Sequence, residues 1–186
     1  TSSTFAASQL VNTMTITGGA GKDTVIATTN NDNAAVKSMT GVETLELNAA
    51  GGATAFDFAK TSGITLVKTD DDGTARDITL TDLTDGTAIE VETGVTASGV
   101  IVDMANKAAA GNTLSMEIET VAAAAHVIDI DIDEVETTTI KIDTATTLDL
   151  AGLSMTTGTS ALNLTGDSNV IVSALHQDVT TVDASG

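Results

Sequence analysis

The sequence predicts an all-β protein, and it favours a parallel β-helix, that is, a β-solenoid of short stacked strands. Three observations carry this prediction. Apolar and polar residues alternate along most of the chain. Alternating runs recur roughly every 8 to 16 residues after position 60, separated by the turn formers Gly, Asp, Asn, Ser and Thr. The apolar residues are largely small aliphatics, and the chain has no Pro, Trp or Tyr.

Each alternating run is predicted to be a strand with one buried face. Successive side chains of a strand point to opposite faces, so the isoleucines of residues 128–133 (IDIDID) should be buried and the aspartates exposed to water. Residues 104–111 and 121–126 are Ala-rich and could form one or two helical turns, but neither has a sustained 3.6-residue stripe. The predicted strands are, in order, residues 14–17, 25–27, 43–47, 64–68, 77–81, 89–92, 100–103, 114–119, 128–133, 140–143, 148–150, 162–165, 170–172 and 180–183.

Two architectures accommodate many short strands that are buried on one side. In a parallel β-helix, two or three strands form each coil of about 20 residues, and the coils stack at about 4.8 Å around a narrow aliphatic interior. An antiparallel β-sandwich uses the same alternation, but it usually has Trp or Tyr in its core, Asn-Gly hairpins and Pro at its edges. The sequence contains none of these. The β-helix is therefore the first prediction, and the antiparallel β-sandwich is the alternative.

Residues 1–186 are predicted to form a single β-rich structural domain. The length suits one domain, and no Pro-rich linker or change of composition marks a second. A possible seam lies near residues 50–60, where Gly51, Gly52 and Phe56 interrupt the alternation. The sequence does not begin with Met, so we expect a fragment of a longer chain or a processed product.

The chain is strongly acidic. It has 26 Asp and Glu against 7 Lys and Arg, a formal net charge of −19 at pH 7 and a pI of about 4.1. A nucleic-acid partner is not expected, because so acidic a protein repels the phosphate backbone and displaces no counterions from it. Membrane insertion is not expected either, since no apolar run approaches the roughly 20 residues that a spanning helix needs.

One short motif has a readable chemistry. Residues 18–26 (GGAGKDTVI) fit the nonapeptide G-G-x-G-x-D-x-U-x, in which a glycine turn leads into a short strand. Glycines allow the tight turn and expose carbonyl oxygens, Asp23 adds an anionic oxygen, and Ca²⁺ takes six to eight such ligands. The next nine residues follow the same nine-residue pattern only in part, with Asn30 in the place of Gly21 and Asp32 in the place of Asp23. A calcium ion between two stacked turns could take ligands from both of these nine-residue segments.

With this motif the chain resembles the calcium-binding RTX repeat proteins of type I secretion, and among them the bacterial surface-layer (S-layer) proteins and large adhesins. Residues 39–47 (MTGVETLEL) are similar to the Gly-x-Glu-Thr-Leu segment that follows such repeats in S-layer proteins, and residues 181–186 (TVDASG) are similar to strand ends in that group. The resemblance implies a secreted, extracellular, calcium-dependent structural protein of the cell surface. It carries the calcium ligands over onto four residues, Gly18, Gly19, Gly21 and Asp23.

Two further groups of acidic residues are candidates for calcium. Asp70 and Asp72 belong to an acidic segment, residues 70–73 (DDDG), that is predicted to be an oxygen-rich turn. The paired carboxylates of residues 90 and 92, 117 and 119, and 129 to 133 should each lie on one face of a strand. If coils stack, they approach like charges unless a cation, a Lys such as Lys141 or water intervenes. The alternative interpretation is a solvated acidic face.

No pattern in the sequence supports catalysis, so the chain is not expected to be an enzyme. Cys, Trp and Tyr are absent, and His126 and His176 stand alone. The leading hypothesis is a calcium-stabilised structural segment of an S-layer protein that associates with itself or with neighbouring segments of the same chain. The rival hypothesis is a calcium-dependent adhesin or a module that binds a cell-surface polysaccharide. A polysaccharide-active enzyme on a β-helix is a weaker third, and high-salt adaptation is another explanation of the acidity.

Overall fold

The protein is an all-β solenoid. The computed structural model describes residues 4–7, 10–29, 35–50, 52, 54–71, 77–92, 98–105, 111–119, 127–133, 135–154 and 161–185, and no helix occurs among them. The two Ala-rich segments that could have formed helical turns lie largely outside these residues.

Short strands follow one another along the described chain. They are β1 (Thr4–Ala7), β2 (Thr15–Thr17), β3 (Thr24–Thr29), β4 (Ser38–Thr40), β5 (Thr44–Ala49), β6 (Thr54–Asp57), β7 (Thr61–Ser62), β8 (Leu66–Asp71), β9 (Ile78–Leu83), β10 (Ala88–Val91), β11 (Ser98–Met104), β12 (Thr113–Ile118), β13 (Val127–Asp133), β14 (Thr137–Ile142), β15 (Thr146–Leu150), β16 (Leu153–Ser154), β17 (Ala161–Thr165), β18 (Val170–Leu175) and β19 (Thr181–Asp183).

Three parallel sheets form the sides of the solenoid. Sheet 1 has the order β1-β3-β5-β8-β10-β12-β14-β17-β19, sheet 2 has the order β18-β15-β13-β11-β9-β6 with β16 beside β13, and sheet 3 has the order β2-β4-β7. Strands that neighbour each other in sheets 1 and 2 are separated in sequence by at least one strand of another sheet. Each described pair is parallel, as coil-on-coil stacking requires and as an antiparallel sandwich does not allow. The β-helix prediction is confirmed.

Coil length varies along the stack. In sheet 1, Thr4 pairs with Thr24 and Thr24 with Thr44, so the first two coils are equally long. The longest coil lies in the middle of the sheet, where Ala88 pairs with Ser115. The extra residues leave the strand register intact, so they enlarge the connections between the sheets.

The core consists of apolar side chains stacked in register, one from each coil. Alternation on each strand turns these side chains inward. Burying them stabilises the fold by about 25 cal/mol for each Å² of apolar surface that is removed from water. Phe56, Leu80, Val102 and Ile132 form such a row on sheet 2. The corresponding row on sheet 1 consists of Val25, Leu45, Val67, Ile89, Met116, Ile140 and Leu164. The segment near residues 50–60, where the sequence suggested a seam, contributes Phe56 to this core.

Thr138 is a polar residue inside the core, and we expect its replacement by Val to stabilise the protein. The side chain is 0% exposed, lies between Leu114 and Leu162 in register, and its Oγ1 has no hydrogen-bond partner among the described residues. Because Val has the same shape without the buried hydroxyl, Thr138→Val should add about 1–2 kcal/mol to the free energy of unfolding. Urea denaturation measures this. Thr139→Val, on the outward face of the same strand, is the control, and an equal gain there would contradict the explanation.

Candidate functional site

The glycine turn of the nonapeptide packs against the turn of the next coil, which in turn lies against the turn of the coil after it. Gly18, Gly41 and Gly63, called here the glycine corner, lie one coil apart, and the Gly18 N–H donates to the Thr40 carbonyl at 2.8 Å. A Cβ on Gly18 would lie 1.6 Å from the Gly41 carbonyl oxygen. Gly41 and Gly63 have φ values of +64° and +93°, which favour glycine. The glycines therefore allow backbone to touch backbone at this corner.

Asp23 is buried immediately before β3 and joins two coils. Its Oδ2 accepts a hydrogen bond from the Gly19 N–H at 2.6 Å, and its own N–H donates to Glu43 Oε2 at 2.7 Å. Its carbonyl accepts from the N–H groups of Glu43 and Thr44, both at 3.1 Å. Two carboxylates, those of Asp23 and Glu43, thus converge on the glycine turn. Only Asp23 was predicted from the sequence.

The residues of this turn offer oxygen atoms of the kind that Ca²⁺ takes as ligands. A small pocket of about 90 Å³ borders Gly18, Gly19 and Asp23, and carboxylate oxygens are the ligands that Ca²⁺ prefers. Two carboxylates offer at most four of the six to eight oxygens, and one oxygen of each already accepts a backbone hydrogen bond. Gly21 is exposed in the turn, with a φ of +118°. The predicted ligands Asn30 and Asp32 lie outside the described residues.

Asp70 does not join this turn. Thr24, Thr44 and Leu66 lie in one row of sheet 1, which places Asp23 just before the amino ends of the strands. Asp70 lies beyond Leu66 on the same strand and pairs with Asn48 toward the other end of sheet 1. The prediction that residue 70 begins a turn is wrong, because β8 continues through Asp71. Asp72 lies outside the described residues.

A carboxylate cluster lies on the outer face of sheet 1. Glu90, Glu92 and Glu119 each place a carboxylate oxygen within 4.8 Å of the others. The strand register explains the cluster, because Glu90 pairs with Glu117 and Val91 with Ile118, so that Glu92 and Glu119 follow as neighbours. Like charges therefore stack at the strand spacing of about 4.8 Å.

Two lysines flank the carboxylate cluster. Lys68 Nζ donates to Glu90 Oε1 at 2.6 Å and to Glu92 Oε1 at 2.8 Å. Burial opposes the charge of Lys68, but these hydrogen bonds outweigh burial and raise the pKa of the ammonium group. On the far side, Lys141 Nζ donates to Glu117 and, at 2.9 Å, to Asp143. The hydrogen bond to Lys141 lowers the pKa of Asp143.

Glu119 lies between these ion pairs without a lysine of its own in the described chain. A hydrogen bond to Glu90, and then the negative charge of Glu90, raise the pKa of Glu119 above its ordinary value. A carboxyl whose pKa is raised by folding binds its proton more tightly in the folded state. Folding is then favoured as the pH falls through the raised pKa, and that advantage is absent at neutral pH.

We therefore expect Glu119→Gln to raise the melting temperature at neutral pH, because it removes one of the stacked charges. The difference from the wild type should shrink as the pH falls toward 4.5, the ordinary pKa of Glu119. Melting curves at several pH values test this. Asp167→Asn removes an exposed carboxylate elsewhere, and it serves as the control. A Glu119→Gln effect that does not change with pH would contradict the explanation.

The sequence indicated the acidic faces but not the cluster. It predicted that carboxylates of stacked coils approach one another, with Lys141 as one possible relief, but it did not show which carboxylates meet. Lys68 binds Glu90 and Glu92, which lie 22 and 24 residues away in the sequence. Lys141 binds Glu117, which is 24 residues away. A search for opposite charges at the coil spacing would also have found Lys68. The spacing itself, however, is known only once the coils are aligned.

A shallow groove lies on sheet 2 beside a β-bulge. Leu80 pairs with Val102 but Leu83 pairs with Met104, so β9 has one extra residue, and Asp82 takes a φ of 56° there. The groove has a volume of about 400 Å³ and is lined by Thr79, Thr81, Ile101, Val102, Asp103, Ile132 and Gly152. Its described lining includes one carboxylate, that of Asp103.

His176 lies apart from these sites. His176 Nδ1 lies 3.4 Å from Asp178 Oδ2 and accepts a hydrogen bond from the Asp178 N–H in the turn after β18. His126 lies outside the described residues.

Comparison with known proteins finds no matching family model, no matching curated protein and no matching solved structure. The described part of the chain contains no helix with the length and hydropathy that spanning a membrane requires.

Proposed function

We propose that the chain is a structural segment of a secreted S-layer protein, stabilised by calcium and contributing to a lattice on the cell surface. The observation that carries the proposal is the parallel stack itself, in which the nine strands of sheet 1 repeat one backbone geometry from end to end. Such a solenoid is built from contacts between neighbouring coils and presents long repetitive faces. A repeating face suits repeated contacts between subunits better than it suits a single reactive centre.

The charge distribution supports a role for calcium. The net charge of −19 makes the folded chain repel itself and its copies, and stacked carboxylates concentrate this repulsion on sheet 1. Divalent cations of the extracellular medium relieve it by lying between carboxylates of one chain or of two. The glycine corner adds a second place where carboxylates converge, at Asp23 and Glu43. Calcium would then both stabilise the coils and join their outer faces.

Assembly of the purified chain tests this function. We expect millimolar calcium chloride to produce sedimentable, ordered arrays that are visible by negative-stain electron microscopy and that a chelator disperses. Sodium chloride of equal ionic strength is the control for simple screening. Glu90→Gln with Glu119→Gln should weaken the arrays, while Asp167→Asn should not. A chain that stays dispersed in calcium would overturn the proposal.

The groove on sheet 2 favours a second candidate function, a calcium-dependent adhesin or glycan-binding module. Threonine hydroxyls, the Asp103 carboxylate and the exposed part of Ile101 could contact a sugar ring there. Saturable binding of a cell-surface polysaccharide by the dispersed chain, lost in Thr79→Val with Thr81→Val, would support the adhesin. Array formation without such binding would count against it.

A further inference from the structure

Sheet 3 forms a basic side on an acidic solenoid. The three described segments that contain its strands each have one lysine and no Asp or Glu, although the chain has 26 acidic residues. These segments are residues 10–22, 35–42 and 58–64. Their lysines, Lys22, Lys37 and Lys60, have exposed side chains. The outward face of sheet 1, by contrast, carries the carboxylate cluster, so charge is divided between the sides of one molecule.

The lysines of this side lack carboxylate partners within the described chain. Lys68 and Lys141, which lie on sheet 1, each bind two carboxylates. Lys22, Lys37 and Lys60 form no ion pair with any residue that the structure describes. An exposed ammonium group without a partner in its own chain attracts the carboxylates of another molecule. Every second copy of this acidic chain brings such carboxylates.

The outward surface of sheet 3 also carries a column of hydroxyl groups. Thr17 pairs with Thr40 and Thr40 with Ser62, and all three side chains are exposed. Their spacing is that of neighbouring strands, about 4.8 Å. Lys37 and Lys60 stand immediately before β4 and β7, which are paired strands of this sheet. The basic side therefore offers hydrogen-bond donors and positive charge at the repeat of the coils.

Sheet 1 carries an acidic column with the same repeat. Glu92, Glu119 and Asp143, called here the acidic column, stack on successive coils. The Glu119 N–H donates to the Val91 carbonyl, and the Asp143 N–H donates to the Ile118 carbonyl, both at 3.0 Å. Ionised carboxylates accept hydrogen bonds and donate none. A column of donors on sheet 3 and a column of acceptors on sheet 1 thus share one spacing.

We propose that copies of this chain associate side by side, with sheet 3 of one copy against the acidic column of the next. The inference rests on the proposed function and deepens it, since it names a contact between subunits of the lattice. Two acidic sides repel each other, and so do two basic sides, so that unlike sides meet. Each copy carries both sides, so the contact is heterologous and continues into an open array. Lys37 or Lys60 of one copy then supplies the cation that Glu119 lacks in its own described chain.

Ionic strength should change this association in two directions. Copies of net charge −19 repel each other at long range, and salt of about 0.1 M screens that repulsion beyond about 10 Å. Salt of about 1 M shortens the screening length to about 3 Å and weakens the ion pairs of the contact itself. We therefore expect association to be strongest near about 0.1 M sodium chloride and weaker both below and above it.

Carbodiimide cross-linking tests the contact on the unaltered chain, because it joins a lysine to a carboxylate only when the two touch. Chains with normal and with heavy isotopes are mixed, and mass spectrometry identifies the linked peptides that carry both labels. We expect mixed-label links from Lys37 and Lys60 to the acidic column, at about ten times the yield of mixed-label links from Lys68 and Lys141. The last two lysines bind carboxylates of their own chain and serve as internal controls.

Two outcomes of this experiment would overturn the proposal. One is the lack of mixed-label links from Lys37 and Lys60, or their even distribution over carboxylates of all sides. The other is protection of both lysines by added polygalacturonate without mixed-label links, which would assign the basic side to an acidic polysaccharide and not to a second copy.

Substitutions on sheet 3 give an independent measurement by sedimentation velocity. Lys37→Gln with Lys60→Gln should raise the dissociation constant of the contact about tenfold, since two ion pairs are lost. Lys37→Arg with Lys60→Arg keeps both charges and should associate like the wild type. Ile171→Glu with Gln177→Glu changes the net charge by the same amount at exposed positions in β18 and the turn after it. An equal loss in that variant would mean general repulsion and would contradict the proposal.

The cross-linking also separates this proposal from the proposed function when it is repeated in calcium and in chelator, below the melting temperature in each. The contact consists of ammonium, hydroxyl and carboxylate groups, so the mixed-label links should persist in chelator. Calcium-dependent arrays without these links would count against the side-by-side contact alone. The links without calcium-dependent arrays would count against the lattice function alone.

Discussion

Phe56→Ala is expected to lower the free energy of unfolding by about 3–5 kcal/mol, the usual cost of emptying the site of a buried aromatic ring. Phe56 is 0% exposed and packs edge to face on Phe58, with ring centroids 4.7 Å apart. Its register partner Leu80 would lose contacts on one side. Urea denaturation followed by circular dichroism measures the change. Ile171→Ala is the control, because that side chain is 65% exposed and should alter stability by less than about 0.5 kcal/mol.

The same variant tests whether residues 1–186 are one domain. Phe56 lies in the region where the sequence suggested a seam, and coils of a solenoid contact only their neighbours. If the chain is a single cooperative unit, Phe56→Ala should move one transition as a whole. Two separated transitions, of which only one shifts, would show that the coils on either side of residues 50–60 unfold independently.

Gly18→Ala is expected to destabilise the protein strongly, although it adds only one methyl group. The added Cβ would lie 1.6 Å from the Gly41 carbonyl oxygen and 2.9 Å from Asp23 Oδ2, so backbone must move apart at the glycine corner. Overpacking of this kind costs about 3 kcal/mol, and here it also disturbs the hydrogen bonds around Asp23. Thermal and urea unfolding measure the loss.

Gly19→Ala is the matched control for this change. The nearest atom to its added Cβ is Asp23 Oδ2 at 3.9 Å, which is ordinary contact, and the N–H that bonds Asp23 is kept. We expect Gly19→Ala to leave stability nearly unchanged. Equal losses in the two variants would mean that the turn needs glycine for flexibility and not for the close approach of two coils.

Strand positions could be predicted from the sequence because alternation is a local property. Each predicted strand overlaps an observed one, as residues 89–92 do with β10 (Ala88–Val91) and residues 140–143 with β14 (Thr137–Ile142). The strands that alternation missed include β4 (Ser38–Thr40) and β7 (Thr61–Ser62). They are too short for alternation to be recognised, and they exist because neighbouring coils supply their hydrogen bonds.

The contacts between coils could not be predicted in the same way. The number of residues between paired positions of neighbouring strands in sheet 1 is smallest at the two ends of the sheet and largest between Ala88 and Ser115. No fixed sequence period therefore aligns the carboxylates with the lysines. For the same reason the sequence did not show that Glu43 reaches the N–H of Asp23 from the next coil. Asp70 was placed in a turn because acidic residues favour turns, but pairing with Asn48 holds it in β8.

Thermal unfolding in calcium and in chelator tests the central claim most directly, namely that calcium stabilises this acidic solenoid. The comparison needs equal ionic strength, with sodium chloride as the balancing salt, so that screening and high-salt adaptation are kept apart from specific binding. A single site saturated at about a hundred times its Kd adds about 2.7 kcal/mol, which in a chain of this length raises Tm by about 5–10 °C. We expect a rise of at least that size in calcium, smaller in Asp23→Asn and in Glu119→Gln. Identical melting curves in calcium and in chelator would contradict the claim.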